Sequence, residues 1–154
     1  PLAYYAAFFS IRASSFNYEL MCLGRERLEY HMADYKRRSN ELTAKEQDTL
    51  KDMKLVLEMY ARGFEFAPID IYTAKARYFQ IVDRKLMPSL STIDGLGDKA
   101  ADAVVEAAKQ GKFLSRQDFK NRCKVSSTVT DLMADLGLLG DLPMTNQMSL
   151  LDFL

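Results

Sequence analysis

The order of residues Ser91-Thr92-Ile93-Asp94-Gly95-Leu96-Gly97-Asp98-Lys99-Ala100-Ala101 decides how the second half of this chain folds. Gly95 can take the positive φ angle of a tight turn, Leu96 can fill the space between two helices, and Gly97 leaves the backbone uncovered. The helix that follows begins with unpaired amides and the positive end of its dipole. The pattern therefore predicts an anion site, suited to phosphate, at Gly97, Asp98 and Lys99.

Binding at such a site would not depend on base sequence, because main-chain amides position a nucleic-acid backbone without reading bases. A local basic surface is predicted beside it from six cations: Lys109, Lys112, Arg116, Lys120, Arg122 and Lys124. A charge run of this kind is more often a solvated face, but next to the glycine turn we expect it to contact DNA. The 21 basic and 21 acidic side chains cancel, and Asp94, Asp98 and Asp102 oppose phosphate. The sequence thus predicts a weak, local DNA-binding site.

The first third of the chain has the periodicity of α-helices. The recurrence of Leu2, Tyr5, Phe8, Phe9 and Arg12 at three- and four-residue steps predicts a first helix, and its aromatic stripe is most simply a core face. Ser14 or Ser15 is expected to cap a second helix, which should break at Gly24.

A further helix begins with the clearest start signal in the chain. Thr43-Ala44-Lys45-Glu46 is a capping box, in which the Thr hydroxyl and the Glu carboxylate pair with amides of the first turn. We expect this helix to end at Gly63, a residue type that favours the left-handed terminator. Its predicted buried face consists of Leu50, Met53, Leu57 and Tyr60.

The texture changes at Phe64. The alternating residues from Phe64 to Tyr72, interrupted by Pro68, predict short edge strands. Residues 78–82 and 85–87 predict a small hairpin that turns at Asp83-Arg84. From Ile93 onward, closely spaced glycines indicate short helices on tight turns.

The predicted fold is therefore mainly α. It consists of a helical segment (1–63), a connector of short strands forming a small β-hairpin region (64–92), a helix-hairpin-helix subdomain that binds DNA (93–140) and a tail (141–154) that we expect to be flexible. The tail combines one glutamine with apolar and aromatic residues that it is too short to bury, which is typical of a partner-binding segment.

Composition excludes several classes of protein. The two cysteines, Cys22 and Cys123, lie far apart without a Cys/His ligand set, so neither a disulfide scaffold nor structural zinc is expected, and a reducing cytoplasm fits best. No apolar run approaches the roughly 20 residues of a membrane span, and the first residues lack the pattern of a signal peptide, so we expect neither. Because the sequence starts at Pro1 and passes at once into an apolar run, we expect a fragment that lacks something upstream.

Five segments together resemble the end of PolC, the Gram-positive-type replicative DNA polymerase III. They are Tyr4-Tyr5-Ala-Ala-Phe-Phe-Ser-Ile-Arg-Ala13, Met59-Tyr-Ala-Arg-Gly-Phe64, Ile93-Asp-Gly-Leu-Gly97, Phe113-Leu-Ser-Arg-Gln-Asp118 and Asn146-Gln-Met-Ser-Leu150. The resemblance implies that residues 1–63 are the end of the fingers, and that residues 93–140 bind duplex primer-template DNA. It also implies that the rest of the polymerase chain is a partner.

By the same resemblance, the terminal peptide is the segment that grips the bacterial sliding clamp. Its implied contacts are Gln147, Met148, Ser149, Leu150, Leu151 and Phe153. The short form of this peptide ends Leu-Phe, whereas here Leu151 stands at the aromatic position and Phe153 comes two residues later, so the occupant of the deepest pocket stays open. The family's catalytic carboxylates and their Mg²⁺ lie in a palm outside this sequence. No catalytic residue, metal or cofactor is therefore expected in the chain itself.

Two other functions fit parts of the pattern. A base-excision glycosylase also carries a helix-hairpin-helix, with a catalytic aspartate about twenty residues beyond it, near the spacing of Asp118. The segment around Asp118 lacks that family's surrounding residues, and Asp118 is better explained as an exposed residue in the first turn of a helix. A free-standing DNA- and clamp-binding adaptor would need only the hairpin and the tail. Whether Tyr4, Tyr5 and Arg12 approach template or nucleotide, or only pack, stays open at this point.

Overall fold

The computed structural model describes residues 1–145, which fold into α-helices joined by turns and one two-stranded sheet. The elements are α1 (Leu2–Ile11), α2 (Tyr18–Met21), α3 (Arg25–Arg37), α4 (Ala44–Ala61), β1 (Gln80–Val82), β2 (Lys85–Met87), α5 (Asp98–Lys109), α6 (Arg116–Cys123) and α7 (Ser127–Asp135). Single 3₁₀ turns occupy Ser39–Glu41 and Leu90–Thr92. The prediction of a mainly helical fold with one small β-hairpin is confirmed.

Helices α1 to α4 surround a core built from aromatic and methionine side chains. Phe9 is fully buried at its centre, and its ring centroid lies 5.0 Å from that of Phe16 and 5.7 Å from that of Phe79. Tilted and edge-on pairs at such distances add to the free energy of burial. This core consists of Tyr5, Phe9, Phe16, Met21, Leu28, Met32, Met53, Val56, Met59, Phe66, Phe79 and Leu86. Of the two adjacent tyrosines, Tyr5 therefore packs inside, whereas Tyr4 is 61% exposed.

A buried carboxylate ties the turn after α1 to α4. Asp52 is 1% exposed, and the Nε of Arg12 donates to its Oδ1 at 2.6 Å. The hydroxyl of Ser15 donates to the other carboxylate oxygen, and the hydroxyl of Thr49 donates to the Ser15 carbonyl at 2.9 Å. A charge buried this deeply persists because its partners satisfy it. Arg12 thus fixes the turn at residues 12–17 on the surface of α4.

The start of the second helix differs from prediction. Asn17 caps α2 by accepting from the backbone amide of Leu20 at 3.1 Å, so the expected cap at Ser14 or Ser15 is wrong. The tertiary contact with Asp52 takes the Ser15 hydroxyl instead. The expected break at Gly24 is confirmed, since Gly24 has φ +106° and immediately precedes α3.

The start and end of α4 follow the sequence, but its buried face does not. Both hydrogen bonds of the Thr43–Glu46 capping box are present at 3.2 Å, and Gly63 has φ +88° past the helix end. Of the predicted face only Met53 is fully buried. Leu50, Leu57 and Tyr60 are half-buried, because the face turned to the core is Thr49, Asp52, Met53, Val56 and Met59.

The connector contains one hairpin and not the predicted edge strands. Residues 64–72 form no strand, and Phe66 makes only an isolated parallel bridge with Leu86. The alternation of apolar and polar residues in 64–72 has another cause. Phe66 packs in the first core, while Ala67, Ile69 and Ile71 pack in a second core. The β1–β2 hairpin is confirmed, and its two turn residues, Asp83 and Arg84, have φ angles of 50° and 64°.

The second core lies under helices α5 to α7. It consists of Tyr18, Ala67, Ile69, Ile71, Ala74, Met87, Leu90, Ile93, Leu96, Ala101, Val104, Ala107, Phe113, Phe119, Cys123, Val125, Val129, Met133, Leu138 and Leu139. Connector residues thus contribute to both cores, and the domain boundaries at 63, 92 and 140 stay predictions. Within residues 1–145, no helix combines the length and apolarity needed to cross a membrane.

Candidate nucleic-acid interface

The glycine turn predicted from the sequence is anchored by two buried side chains. Ile93 is 1% exposed and Leu96 is 3% exposed, and both belong to the second core. The amide of Leu96 donates to the carbonyl of Ile93 at 3.0 Å, which closes the turn. Between them Asp94 and Gly95 face solvent. The apolar anchors therefore hold the exposed turn at a fixed position at the start of α5.

Glycine occupies the two positions of this turn for different physical reasons. Gly95 has φ +84°, and a Cβ built on it would lie 2.9 Å from Cγ2 of Val129, so both conformation and packing require glycine. Gly97 has φ −72° and ψ 176°, which any residue can adopt, and nothing lies within 4 Å of a Cβ built there. Glycine at 97 is therefore not needed by the fold, and its effect is to leave the backbone accessible.

The N-terminus of α5 is open. Gly97 supplies no side-chain cap, and within residues 1–145 the amides of Gly97, Asp98, Lys99 and Ala100 have no hydrogen-bond acceptor. Amides without an acceptor at the positive end of a twelve-residue helix favour an anion.

In the first turn of α6, by contrast, the amides already have hydrogen-bond acceptors. The hydroxyl of Ser115 accepts from the Asp118 amide, and the amides of Arg116 and Gln117 donate to the carbonyls of Pro143 and Met144. Only one of these two helix starts can therefore offer its amides to a ligand, and it is that of α5.

A second hairpin with the same order of features joins α6 to α7. Lys124 has a left-handed φ of 55°, Val125 is 5% exposed, and Ser126 caps α7 by accepting from the amide of Val129 at 3.2 Å. Lys124 and Val125 repeat the roles of Gly95 and Leu96, whereas Ser126 stands at the N-cap position of Gly97 but supplies a side-chain cap. The first hairpin packs against α7, since Val129 in that helix is the residue that Gly95 approaches. Sequence reasoning missed this hairpin because a lysine stands where glycine is usual. The serine cap before a short helix was the available signal.

The six predicted DNA-binding cations do not share one surface with the glycine turn. Lys124 lies in the second hairpin, and the Nζ of Lys120 donates to the hydroxyl of Ser127 in the first turn of α7 at 2.6 Å. Lys109 and Lys112 lie at the other end of α5, about 18 Å from its N-terminus for twelve residues at 1.5 Å each. Lys109 also faces Glu106, with 3.8 Å between Nζ and Oε2.

Arg122 is used inside the fold. Its Nη2 donates to the carbonyls of Ala107 and Gly111 at 2.7 and 3.0 Å, and its Nη1 donates to the Lys112 carbonyl at 3.1 Å. The guanidinium also lies over the ring of Phe113, 4.5 Å from its centroid. Arg122 thus caps the C-terminus of α5 and joins it to α6.

Arg116, a predicted DNA-binding residue, and Asp118 are also held by internal contacts. Nη1 of Arg116 lies 3.4 Å from Sδ of Met144. Asp118, the aspartate weighed for a glycosylase, accepts from the amide of Leu114 at 2.9 Å and pairs with Arg122 at 3.3 Å. Asp118 therefore lies in the first turn of α6 as predicted, but not as an exposed residue: its side chain is only 17% exposed because these contacts hold it against the fold.

The predicted clamp-binding residues, Gln147 to Leu151 and Phe153, lie outside the described residues. Within residues 1–145, no three His, Cys, Asp or Glu side chains are grouped in a way that could hold a metal ion.

Comparison with known families agrees with this geometry. The family described as "Helix-hairpin-helix motif" matches residues 63–148, more than half of the chain, and the match includes both hairpins. The chain belongs to the helix-hairpin-helix family. Its two hairpins, at Gly95–Gly97 and Lys124–Ser126, are the feature that gives this family its name.

Relatives resemble the chain over nearly its whole length. It is 38% identical over 150 residues to the DNA polymerase III PolC-type of Caldanaerobacter subterraneus subsp. tengcongensis, which covers 97% of this chain and 11% of that protein. It is 40% identical to the protein of the same name from Streptococcus sanguinis and 39% identical to that from Streptococcus pyogenes, each over 154 residues, 99% of this chain and 10% of the relative. This helix-hairpin-helix chain therefore spans about a tenth of the length of these relatives.

Proposed function

We propose that this chain is the C-terminal, duplex-DNA-binding part of a PolC-type replicative DNA polymerase. The observation that carries the proposal is the open N-terminus of α5 at Gly97, in a chain that belongs to the helix-hairpin-helix family. The identity of 38 to 40% to segments of PolC-type polymerases supports the assignment to such an enzyme.

The contact we propose is with the phosphate backbone. A phosphate oxygen accepts from the amides of Gly97, Asp98 and Lys99, and the Lys99 ammonium adds a cation beside it. The second hairpin offers the first turn of α7, with Lys120 and Lys124 beside it, to a neighbouring phosphate. Backbone contacts of this kind hold the duplex in register without selecting a sequence. The acidic side chains near the turn keep the affinity low, which suits a subdomain that follows moving DNA.

Nucleotidyl transfer is assigned to the part of the polymerase outside this sequence, where paired carboxylates would hold the metal ions. The chain alone is expected to extend no primer. A primer-extension assay with purified chain, template, nucleotides and Mg²⁺ tests this, and metal-dependent extension would overturn the assignment.

Duplex binding is tested by fluorescence anisotropy with the 154-residue chain and three labelled duplexes of unrelated sequence, each at several salt concentrations. Gly97→Leu should weaken binding to all three equally, because its side chain covers the amides while the backbone angles permit it. Gly97→Ala is the matched control, since it adds one methyl group in open space. If wild type and Gly97→Leu bind with the same affinity and salt dependence, the hairpin has no part in DNA binding.

We also propose that the terminal peptide binds the bacterial sliding clamp through Gln147 and Leu150. Replacing both by alanine should abolish clamp binding, measured by surface plasmon resonance on immobilised clamp, and leave duplex affinity unchanged. Clamp affinity equal to wild type in the double variant would refute this part of the proposal.

A further inference from the structure

A cleft of about 580 Å³ lies between the N-terminal helices and the first hairpin. The turn after α1 forms part of its lining, with Ser14 and Ser15, and the residues from Ser91 to Asp98 form another part. Two cations from separate elements also line it: Lys45 in the first turn of α4 and Arg77 in the connector. The cleft thus joins the candidate interface to the helical unit at residues 1–63.

We infer that one strand of the DNA backbone passes along this cleft, with Lys45 and Arg77 contacting its phosphates. The inference rests on the proposed DNA binding of the hairpin and extends it to the N-terminal helices. Gly95 and Gly97 line the same cleft, so a strand held at the hairpin passes these two cations. The contact surface therefore includes residues outside the predicted basic run of 109–124.

The chemistry of the lining suits a sugar–phosphate strand better than a stack of bases. Serine and threonine residues line the cleft, and within residues 1–145 its one aromatic residue, Phe16, is buried and belongs to the first core. Stacking on bases would need exposed aromatic faces. Ile11, which is 86% exposed at the cleft, offers apolar surface to a deoxyribose.

Both cations have hydrogen-bond donors that are free to contact a phosphate. Lys45 is exposed and makes no ion pair within residues 1–145. Arg77 is half exposed and pairs with Asp102 through Nη1 at 3.3 Å, which leaves the other guanidinium donors for a phosphate. Asp94 and Asp98 also line the cleft and oppose an anion, so the phosphates must pass closer to Lys45 and Arg77 than to these carboxylates.

The test measures how duplex affinity of the 154-residue chain depends on salt. Each phosphate contact removed lowers the slope of log K against log salt by about 1, so the double variant Lys45→Ala, Arg77→Ala should lose about 2. Lys54→Ala and Lys75→Ala are matched controls from the same two elements, with exposed side chains that do not line the cleft. The control variants should keep the wild-type slope.

Asp102→Ala separates contact with DNA from support of the fold. It breaks the same ion pair as Arg77→Ala but removes a negative charge, so duplex affinity should stay unchanged or rise. The single variant Arg77→Ala is measured beside it. If Asp102→Ala weakens binding as much as that single variant, the role of Arg77 is structural and the inference fails. A wild-type slope in the double variant overturns the inference and leaves the hairpin proposal intact. If the wild-type chain binds no duplex, the proposed function itself fails.

Discussion

Placing an aspartate at position 97 should raise the stability of the fold and weaken DNA binding at the same time. The backbone there, at φ −72° and ψ 176°, is that of a normal N-cap, and nothing lies within 4 Å of a new Cβ. An Asp cap is worth a few tenths of a kcal/mol over glycine. Removing the freedom of glycine in the unfolded chain adds about 0.4–1 kcal/mol. Gly97→Asp should therefore stabilise the chain by about 0.5–1.5 kcal/mol.

The same carboxylate would occupy the amides that we assign to phosphate. Two unit charges 4 Å apart in water repel by about 1 kcal/mol, and the loss of one hydrogen bond to a charged group costs about 1.5 kcal/mol. The sum of about 2.5 kcal/mol corresponds to duplex binding weaker by roughly 50- to 100-fold. Gly97→Asn caps the helix without the charge, so it should lose only about tenfold.

Urea unfolding followed by circular dichroism gives the stability, and fluorescence anisotropy gives the duplex affinity. Because the two effects have opposite signs, misfolding cannot account for the loss of binding. Higher stability in Gly97→Asp together with unchanged duplex affinity would refute the reasoning, since the amides would then be capped without consequence for DNA.

Three other predictions concern the fold. Gly95→Ala should destabilise by about 2–5 kcal/mol in urea unfolding, from the left-handed backbone and the close approach to Val129, and a change under about 0.5 kcal/mol would contradict this. Asp52→Ala should lower the free energy of unfolding by about 2–3 kcal/mol in the same assay. This is less than for a fully buried pair, because Arg12 is 33% exposed and can rehydrate. A loss of less than about 1 kcal/mol would show that Asp52 has no structural role. Burial raises the pKa of the Cys123 thiol from 9.0 to about 12, so iodoacetamide at pH 8 should label it far more slowly in folded than in unfolded protein. Equal labelling rates in folded and unfolded protein would show that the thiol is accessible. The stability that the buried neutral thiol contributes is fully present below pH 9.0 and is lost as the pH rises toward 12.

Much of the candidate site could be predicted because its signals are local. The Thr43–Glu46 box needs only four residues to pair its own amides. The Gly95 turn likewise depends on the φ angle of a single residue, and the β-hairpin on its two turn residues. Each of these structures is decided by contacts within a few positions along the chain, so the sequence alone determined them.

Contacts between distant residues decided the rest. Asp52 draws the Ser15 hydroxyl away from the expected cap, and the alternation in residues 64–72 comes from two cores on opposite sides of the connector. Arg122 belongs to a basic run in the sequence, but the C-terminal carbonyls of α5 take its guanidinium in the fold. Lys124 takes a left-handed turn that lysine rarely adopts alone, and buried packing on both sides holds it there.

The turn with unpaired amides at the start of α5 thus follows from its own few residues. The packing of distant segments places α7 against that turn and brings Lys45 and Arg77 to the adjoining cleft. The difference lies in how far apart along the chain the interacting residues are. A φ angle or a helix cap is set by neighbouring residues, whereas the packing of whole helices decides which cations face an anion site.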